Sequence, residues 1–313
     1  MKEKLHNIPL WFINLITVIS GIITIITPVV TIFITIASGI VPQVFFVITV
    51  VTLSCFTIIL FMRMKKYRTI ANNRMEKTSD NYHRLLHYAR DLYFQVMHNY
   101  KKGTLTISGL SELYRSELSK ILDLLCNVMN AHTERNISSC IKLITYPNDE
   151  EVIFENNAQL VTFCRSNNSD TNRENYEQHK EIWLTQNTDF LEIISNNNNK
   201  NYFYQGDLEK YAKQLHDMGR DYENSNTRWS DYYKGTVIVP IRIEFKKLYH
   251  QKKDDAYHII GFLCIDSLST DAFTEKQEKY NVDIVKSFAD IVYILLGQYR
   301  HYLKKLDKSK NAA

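Results

Sequence analysis

The chain has 313 residues, with 38 Lys and Arg against 34 Asp and Glu, nine Gly, five Pro and five Cys. A formal net charge of +4 is too small to argue for a nucleic-acid polymer as partner. No Asp, Glu, Lys or Arg occurs between Leu5 and Met62, and fifty-eight such residues, rich in Ile, Val, Thr, Leu and Phe, exclude a freely soluble monomer.

That stretch reads as a two-helix transmembrane hairpin over residues 1–62. The first span runs from Leu10 to Ala37, with Pro28 expected to kink it, and the second from Val44 to Met62. Gly39 and Pro42 mark a turn over Ser38 to Gln43. As a helix the second span reaches ~28 Å, enough to cross a hydrocarbon core of ~30 Å with little to spare. Lys2 and Lys4 precede the hairpin, and Arg63, Lys65, Lys66 and Arg68 follow it. Positive charge on both flanks places both termini in the cytoplasm and the two spans in the cell inner membrane. Thr17, Gly21, Thr24, Pro28, Thr31, Thr35 and Ser38 recur every three or four residues, a seam suited to helix packing, or, in an oligomer, to a pore wall.

Residues 63–104 predict a helical stalk. Neither Gly nor Pro interrupts Arg63 to Tyr100, and Tyr82, Leu85, Leu86, Ala89, Leu92, Tyr93, Val96, Met97 and Tyr100 form an apolar stripe for packing or self-association. His83 and His87 stand four apart without a third ligand, so a solvated pair is expected and no metal. A helix follows over Gly109 to Ala131, then strands over Cys140 to Tyr146 and Gln159 to Cys164. Glu192 to Lys234, with its Asn196 to Asn199 run, reads as an irregular polar segment. Thr236 to Phe245 alternates as a half-buried strand, His258 to Asp266 pairs with it as an antiparallel hairpin, and Asp254 and Asp255 lie in the loop between. Thr274 to Leu306 is the last helix, and residues 307–313 are a basic, frayed tail. The order helix, strands, strands, helix is α+β.

Dispersed glycines exclude P-loop and dinucleotide fingerprints. Five cysteines without C-x-x-C spacing fit a reducing compartment and buried packing roles, and for Cys164 and Cys264, both on predicted strands, no helix N-terminus or close basic partner argues for a lowered thiol pKa. With no triad, paired-carboxylate or metal spacing either, catalysis is not expected.

Gly235-Thr236-Val237-Ile238-Val239-Pro240-Ile241, Ile260-Gly261-Phe262-Leu263-Cys264-Ile265-Asp266-Ser267, Phe273-Thr274-Glu275 and Phe288-Ala289-Asp290-Ile291 resemble the closing half of a GAF domain. Phe203 to Leu208 is similar to the segment before that family's variable helices. The resemblance covers residues 105–306 and implies an antiparallel sheet backed by its first and last helices. It also implies a ligand pocket on the other face, roofed by the irregular middle. No Cys-His pair points to bilin attachment, the cyclic-nucleotide signature is absent, and no cofactor is expected.

Aromatic and basic residues interleave from Tyr202 to Lys234. Because aromatic faces stack bases and Arg pairs with phosphate, Arg220, Arg228, Trp229 and Arg242 are the candidate ligand-binding residues for a small anionic or nucleotide-like ligand. The expected function is a membrane-anchored cytoplasmic sensor, dimeric or of higher order, whose GAF-like domain signals through the stalk to the hairpin. The first alternative is an antiphage-type effector whose hairpin oligomerises and permeabilises the membrane on sensing a nucleotide messenger. The second is a constitutive anchor that docks a protein partner.

Overall fold

The computed structural model describes residues 40–145, 158–169, 183–195, 201–244 and 257–311, together with Gly21. Its contacts divide the chain into two compact units, Met1–Met75 and Glu76–Ala313. The first span and almost all of its small-residue seam lie outside the described residues, as do the Asn196–Asn199 run and Asp254-Asp255.

Helix α1 (Ile40–Lys101), whose residues to Met75 belong to the first unit and the rest to the second, begins inside the stretch expected to turn. Ile40 to Gln43 are helical because Pro42 sits in the first turn, where a backbone N–H has no intrahelical acceptor and its loss costs little. Val47, Ile48, Val51, Phe56, Ile58, Ile59, Phe61 and Met62 all point outward. Thr52 and Thr57 donate back to the carbonyls of Ile48 and Leu53 at 2.7 and 2.8 Å, which satisfies their hydroxyls without water. This helix is long and apolar enough to cross a membrane. It carries the expected second span, and among the described residues it alone meets that test.

The second unit is built on a five-stranded antiparallel sheet with order β2-β1-β5-β4-β3. The strands are β1 (Ser138–Thr145), β2 (Gln159–Arg165), β3 (Phe203–Gln205), β4 (Gly235–Glu244) and β5 (Tyr257–Ser267). Helix α2 (Ile107–Thr133) precedes β1. Thr106 caps it by accepting from the Gly109 N–H at 3.0 Å, and Glu134, left-handed at φ 57°, ends it. Between β2 and β4 lie α3 (Thr188–Ser195), α4 (Leu208–Asp217) and the single turn α5 (Trp229–Tyr232). Helix α6 (Glu278–Asn311) closes the unit and runs through most of the tail expected to fray.

The sheet carries a core on each face. Ile141, Cys164, Val237, Val239, Ile241, Leu263 and Ile265 pack against α2, α6 and the Leu85, Leu92 and Val96 stripe of α1. Cys140, Ile144, Leu160, Ile238, Phe262 and Cys264 pack against Leu184, Phe190, Ile193, Leu208 and Tyr233 of the middle segment. Strand β4 is therefore buried on both faces from Gly235 to Ile241, not half-buried as its alternation suggested. The alternate residues Ile238 and Pro240 are themselves apolar, so the two-residue period separates two cores instead of core from solvent. The segment expected to be irregular supplies β3, which pairs with β4, and the capped helix α4. This is the arrangement implied by the resemblance, with first and last helices on one face and the middle segment on the other. On α1 the apolar stripe is a packing face for Leu85, Leu92 and Val96, while Leu86 and Tyr93 turn outward, 60% and 48% exposed. His83 and His87 share a hydrogen bond of 2.9 Å, Nε2 to Nε2.

Two bulges set which side chains reach which face. Pairing passes from Ile241–Gly261 to Arg242–Ile259, so Ile260 is the extra residue on β5. It passes from Ile141–Cys164 to Lys142–Thr162, so Phe163 is the extra residue on β2. Beside the first bulge β1 and β5 come so close that a Cβ on Gly261 would stand 2.3 Å from the Lys142 carbonyl oxygen. Gly261→Ala should therefore push the two central strands apart and cost ~1–3 kcal/mol, read as a lower denaturation midpoint in a chemical melt followed by tryptophan fluorescence. An unchanged midpoint would show that the strands yield freely there.

Candidate ligand-binding face

On the face away from α2 and α6, strand register places a polar patch in the middle of the sheet. Cys140, Lys142 and Ile144 alternate on β1, so all three share that face. Arg165 lies opposite Cys140 on β2, and Cys264 lies opposite it on β5. Asp266 and Thr236 face each other one step further along β5 and β4, where Thr236 Oγ1 donates to Asp266 Oδ1 at 2.7 Å. Lys142 Nζ donates to Thr162 Oγ1 at 3.4 Å.

The patch is covered by α3 and the loop that follows α4. Phe190 stands over Phe262, ring centroids 4.7 Å apart, which brings its neighbour Asp189 down onto the patch. Thr188 Oγ1 accepts from the Glu223 N–H at 2.8 Å, and Asn187 Oδ1 accepts from the Ser225 N–H and hydroxyl at 3.2 and 3.0 Å. These bonds fasten the loop to the start of α3. The Asn226 side-chain nitrogen is buried with no hydrogen-bond partner among the described residues. Tyr211, Tyr222, Trp229 and Tyr233 form a chain of ring contacts at the outer edge of this cover, with centroids 5.3–6.1 Å apart.

Four ionisable side chains are thus nearly sealed: Lys142 and Arg165 at 7% exposure, Asp266 at 4% and Asp189 at 3%. Burial pushes the Asp189 carboxyl up to about 7, against which Lys142 pulls down and Asp266 pushes further up. The Tyr222 hydroxyl is raised by its own burial and then by Asp189. The Cys140 thiol is lowered, first by its interaction with the facing Cys264 thiol and then by the charges of Arg165 and Lys142, which together outweigh its burial. The Cys264 thiol is raised, by burial first and then by the facing Cys140. Arg165 is distant in sequence and reaches Cys140 only through strand pairing, so spacing along the chain could not show it.

The residues expected from the sequence lie elsewhere. Arg228 is at the surface, its Nε donating to Asp231 Oδ2 at 2.8 Å. Arg220 is exposed beyond the end of α4, near enough to Tyr211 to lower that hydroxyl slightly against its burial. Trp229 belongs to the ring chain, packed on Tyr222. Arg242 sits across from the β5 bulge, opposite Ile259 and six positions from the Thr236–Asp266 pair. Sequence reasoning missed Lys142, Arg165 and Asp189. The one signal available was a lysine inside the apolar run Cys-Ile-Lys-Leu-Ile.

No model of a known protein family matches the chain, and no curated protein matches it. Among solved structures it is similar to a type II free methionine-R-sulfoxide reductase from Thermoplasma acidophilum, at 16% identity, over 59% of this chain and 95% of that one, TM-score 0.34. It is similar to a far-red cyanobacteriochrome photoreceptor at 12% identity, over 67% and 96%, TM-score 0.38. It is also similar to the GAF domain of an Acinetobacter phosphoenolpyruvate-protein phosphotransferase at 12% identity, over 66% and 91%, TM-score 0.31.

A carboxyl raised from 3.8 to about 7 binds its proton more tightly in the folded than in the unfolded chain. Its contribution is therefore fully present below pH ~4 and is lost as pH rises through ~7, a swing of at most ~4 kcal/mol. Asp189→Asn should be more stable than the parent at pH 8, and the gap should close on acidification toward pH 4. Paired melting curves across that range test it, and a pH-independent gap would contradict it.

Proposed function

We propose that the chain is a membrane-anchored sensor whose GAF-like domain binds a small charged ligand on the inner polar face of its sheet. The observation that carries this is the burial of Lys142, Arg165, Asp189 and Asp266 together under the α3 cover. Each buried charge costs several kcal/mol to desolvate, and an apolar core would be as stable or more so. Asp189 remains raised despite Lys142 nearby, and Asn226 holds a buried donor without a partner among the described residues. Both point to a polar partner that completes the face. Lys142 and Arg165 suit an anionic group, and Asp189 suits a hydrogen-bond donor. A nucleotide carries both, as phosphate and exocyclic amine, and so does a free amino acid.

Helix α1 supplies the anchor in this reading. Ligand binding would displace α3 and the strands beneath it, and the domain acts by binding rather than by turnover, as a homo-oligomer on the cytoplasmic side. The full chain in detergent should melt higher with one class among cyclic mononucleotides, cyclic dinucleotides and free amino acids. A ligand at a hundred times its Kd stabilises by ~2.7 kcal/mol. Arg165→Met and Lys142→Met should abolish the shift, whereas Arg228→Ala, which removes the surface pair with Asp231, should retain it. Loss in Arg228→Ala with retention in Arg165→Met would move the site to the outer surface.

A further inference from the structure

The described residues hold five cysteines, all free, and two of them face each other across the centre of the sheet. Cys140 on β1 is paired directly with Cys264 on β5, within a ladder that runs from Ser138–Asp266 to Leu143–Gly261 without a bulge. Residues directly opposite in an antiparallel ladder lie ~4.5–5.5 Å apart at Cα, with both side chains on one face. A disulfide takes Cα separations of ~4.4–6.8 Å, so this pair can close without a change of register. The remaining three cysteines are placed differently. Cys126 lies on α2 against Ser139, Cys164 is on the opposite face of the sheet beside Ile141, and Cys55 is on the outer surface of α1.

The ladder also makes the two sulfurs unequal. Cys140 has Arg165 directly across from it on β2 and Lys142 two residues along the same face, so cations stand on two sides. Cys264 has Asp266 two residues along on its own strand. A thiolate is therefore favoured at Cys140 relative to Cys264, whose thiol is pushed up by its own burial and by Asp266 nearby.

We propose that Cys140 and Cys264 are a reversible dithiol–disulfide pair, with Cys140 the peroxide-reactive thiolate and Cys264 the thiol that resolves it. The Cys140 sulfur attacks one oxygen of a hydroperoxide. The O–O bond breaks, the leaving oxygen takes a proton to become water or an alcohol, and Cys140 becomes a sulfenic acid. Cys264 then attacks the Cys140 sulfur, the S–O bond breaks, and its oxygen leaves as hydroxide, which the Cys264 proton converts to water. Two electrons pass from the dithiol to the peroxide. A small thiol reductant reverses the oxidation. The inference is independent of the ligand reading, since it rests on strand register and on charges already present.

The test uses the full chain in detergent, treated with hydrogen peroxide beside free glutathione as a control for oxidant strength, then alkylated after unfolding and mapped by peptide mass spectrometry. Expected is a linked pair of peptides carrying Cys140 and Cys264, lighter by two hydrogens than the separate thiols and restored by dithiothreitol. In Cys264→Ser, dimedone should label Cys140. In Cys140→Ser, oxidation of Cys264 should slow by more than about tenfold. Full alkylation of both cysteines in the parent chain under conditions that consume glutathione overturns the proposal, whatever the variants do. Preferential dimedone labelling of Cys264 overturns the assigned roles.

Discussion

Strand β4 from Gly235 to Ile241 and strand β5 from Ile259 to Ser267 have sealed side chains on both faces, and the rest of the second unit follows from that demand for cover. Val237, Val239, Leu263 and Ile265 require one apolar layer, while Ile238, Phe262 and Cys264 require another. Helices α2 and α6 meet the first requirement with long amphipathic faces. The second is met by short pieces, α3, α4 and β3, with the start of α3 fastened to the loop after α4 by side-chain bonds of Thr188 and Asn187. Each large apolar side chain sealed in this way contributes ~1.5–3 kcal/mol, so neither layer is dispensable. The central position of β5, between β1 and β4, makes it the strand on which both layers depend.

The two layers differ in kind. Beneath the helices the face is apolar but for Ser139, which bonds to α2, whereas beneath α3 it contains a row of polar positions running from Asp266 past Cys140 to Lys142. Nothing in the packing of Phe190 on Phe262 requires a charge beside it. A patch of opposite charges that is sealed yet leaves Asp189 raised is costly for folding, and such cost is usually found where a fold binds or reacts. The cover over it is held by polar side-chain bonds to one loop, a weaker fastening than an interlocked helix pair.

Much of the frame was legible in the sequence, and the site was not. Val237 to Ile243 and Ile259 to Ile265 announced strands because β-branched residues alternate there between turn signals. The helices were legible because their apolar residues recur at helical spacing through Leu110–Met129 and Val282–Leu303. Face assignment failed for a different reason. A lysine at position 142 reads as solvent-facing until β2 and β5 are laid on either side of it. The bulges at Phe163 and Ile260 then decide which neighbours share its face, and neither bulge leaves a mark in composition. The interleaved aromatics did mark the outer cover, with Tyr211, Tyr222 and Trp229 in one chain of rings. Their basic neighbours, however, face water, as Arg228 does in its pair with Asp231. Proximity in sequence joined residues that the fold separates, and strand pairing joined Arg165 to Cys140.

Alternation along β5 also explains how an event on the polar face would reach the helical one. Leu263 and Ile265 flank Cys264 on the same backbone and belong to the core that contains Leu85, Leu92 and Val96 of α1. A ligand pressing on the patch, or a bond drawing Cys264 toward Cys140, shifts that backbone, and its two apolar neighbours cannot stay where they were. Close packing passes such a shift on instead of absorbing it. Two ring contacts, Tyr82 with Phe288 and Tyr100 with Tyr302, tie α1 to α6 in parallel at 5.2 and 5.0 Å, so both helices receive the shift together. Under the proposed function, the span from Tyr82 to Tyr100 is therefore the part of α1 that would register a change at the buried patch.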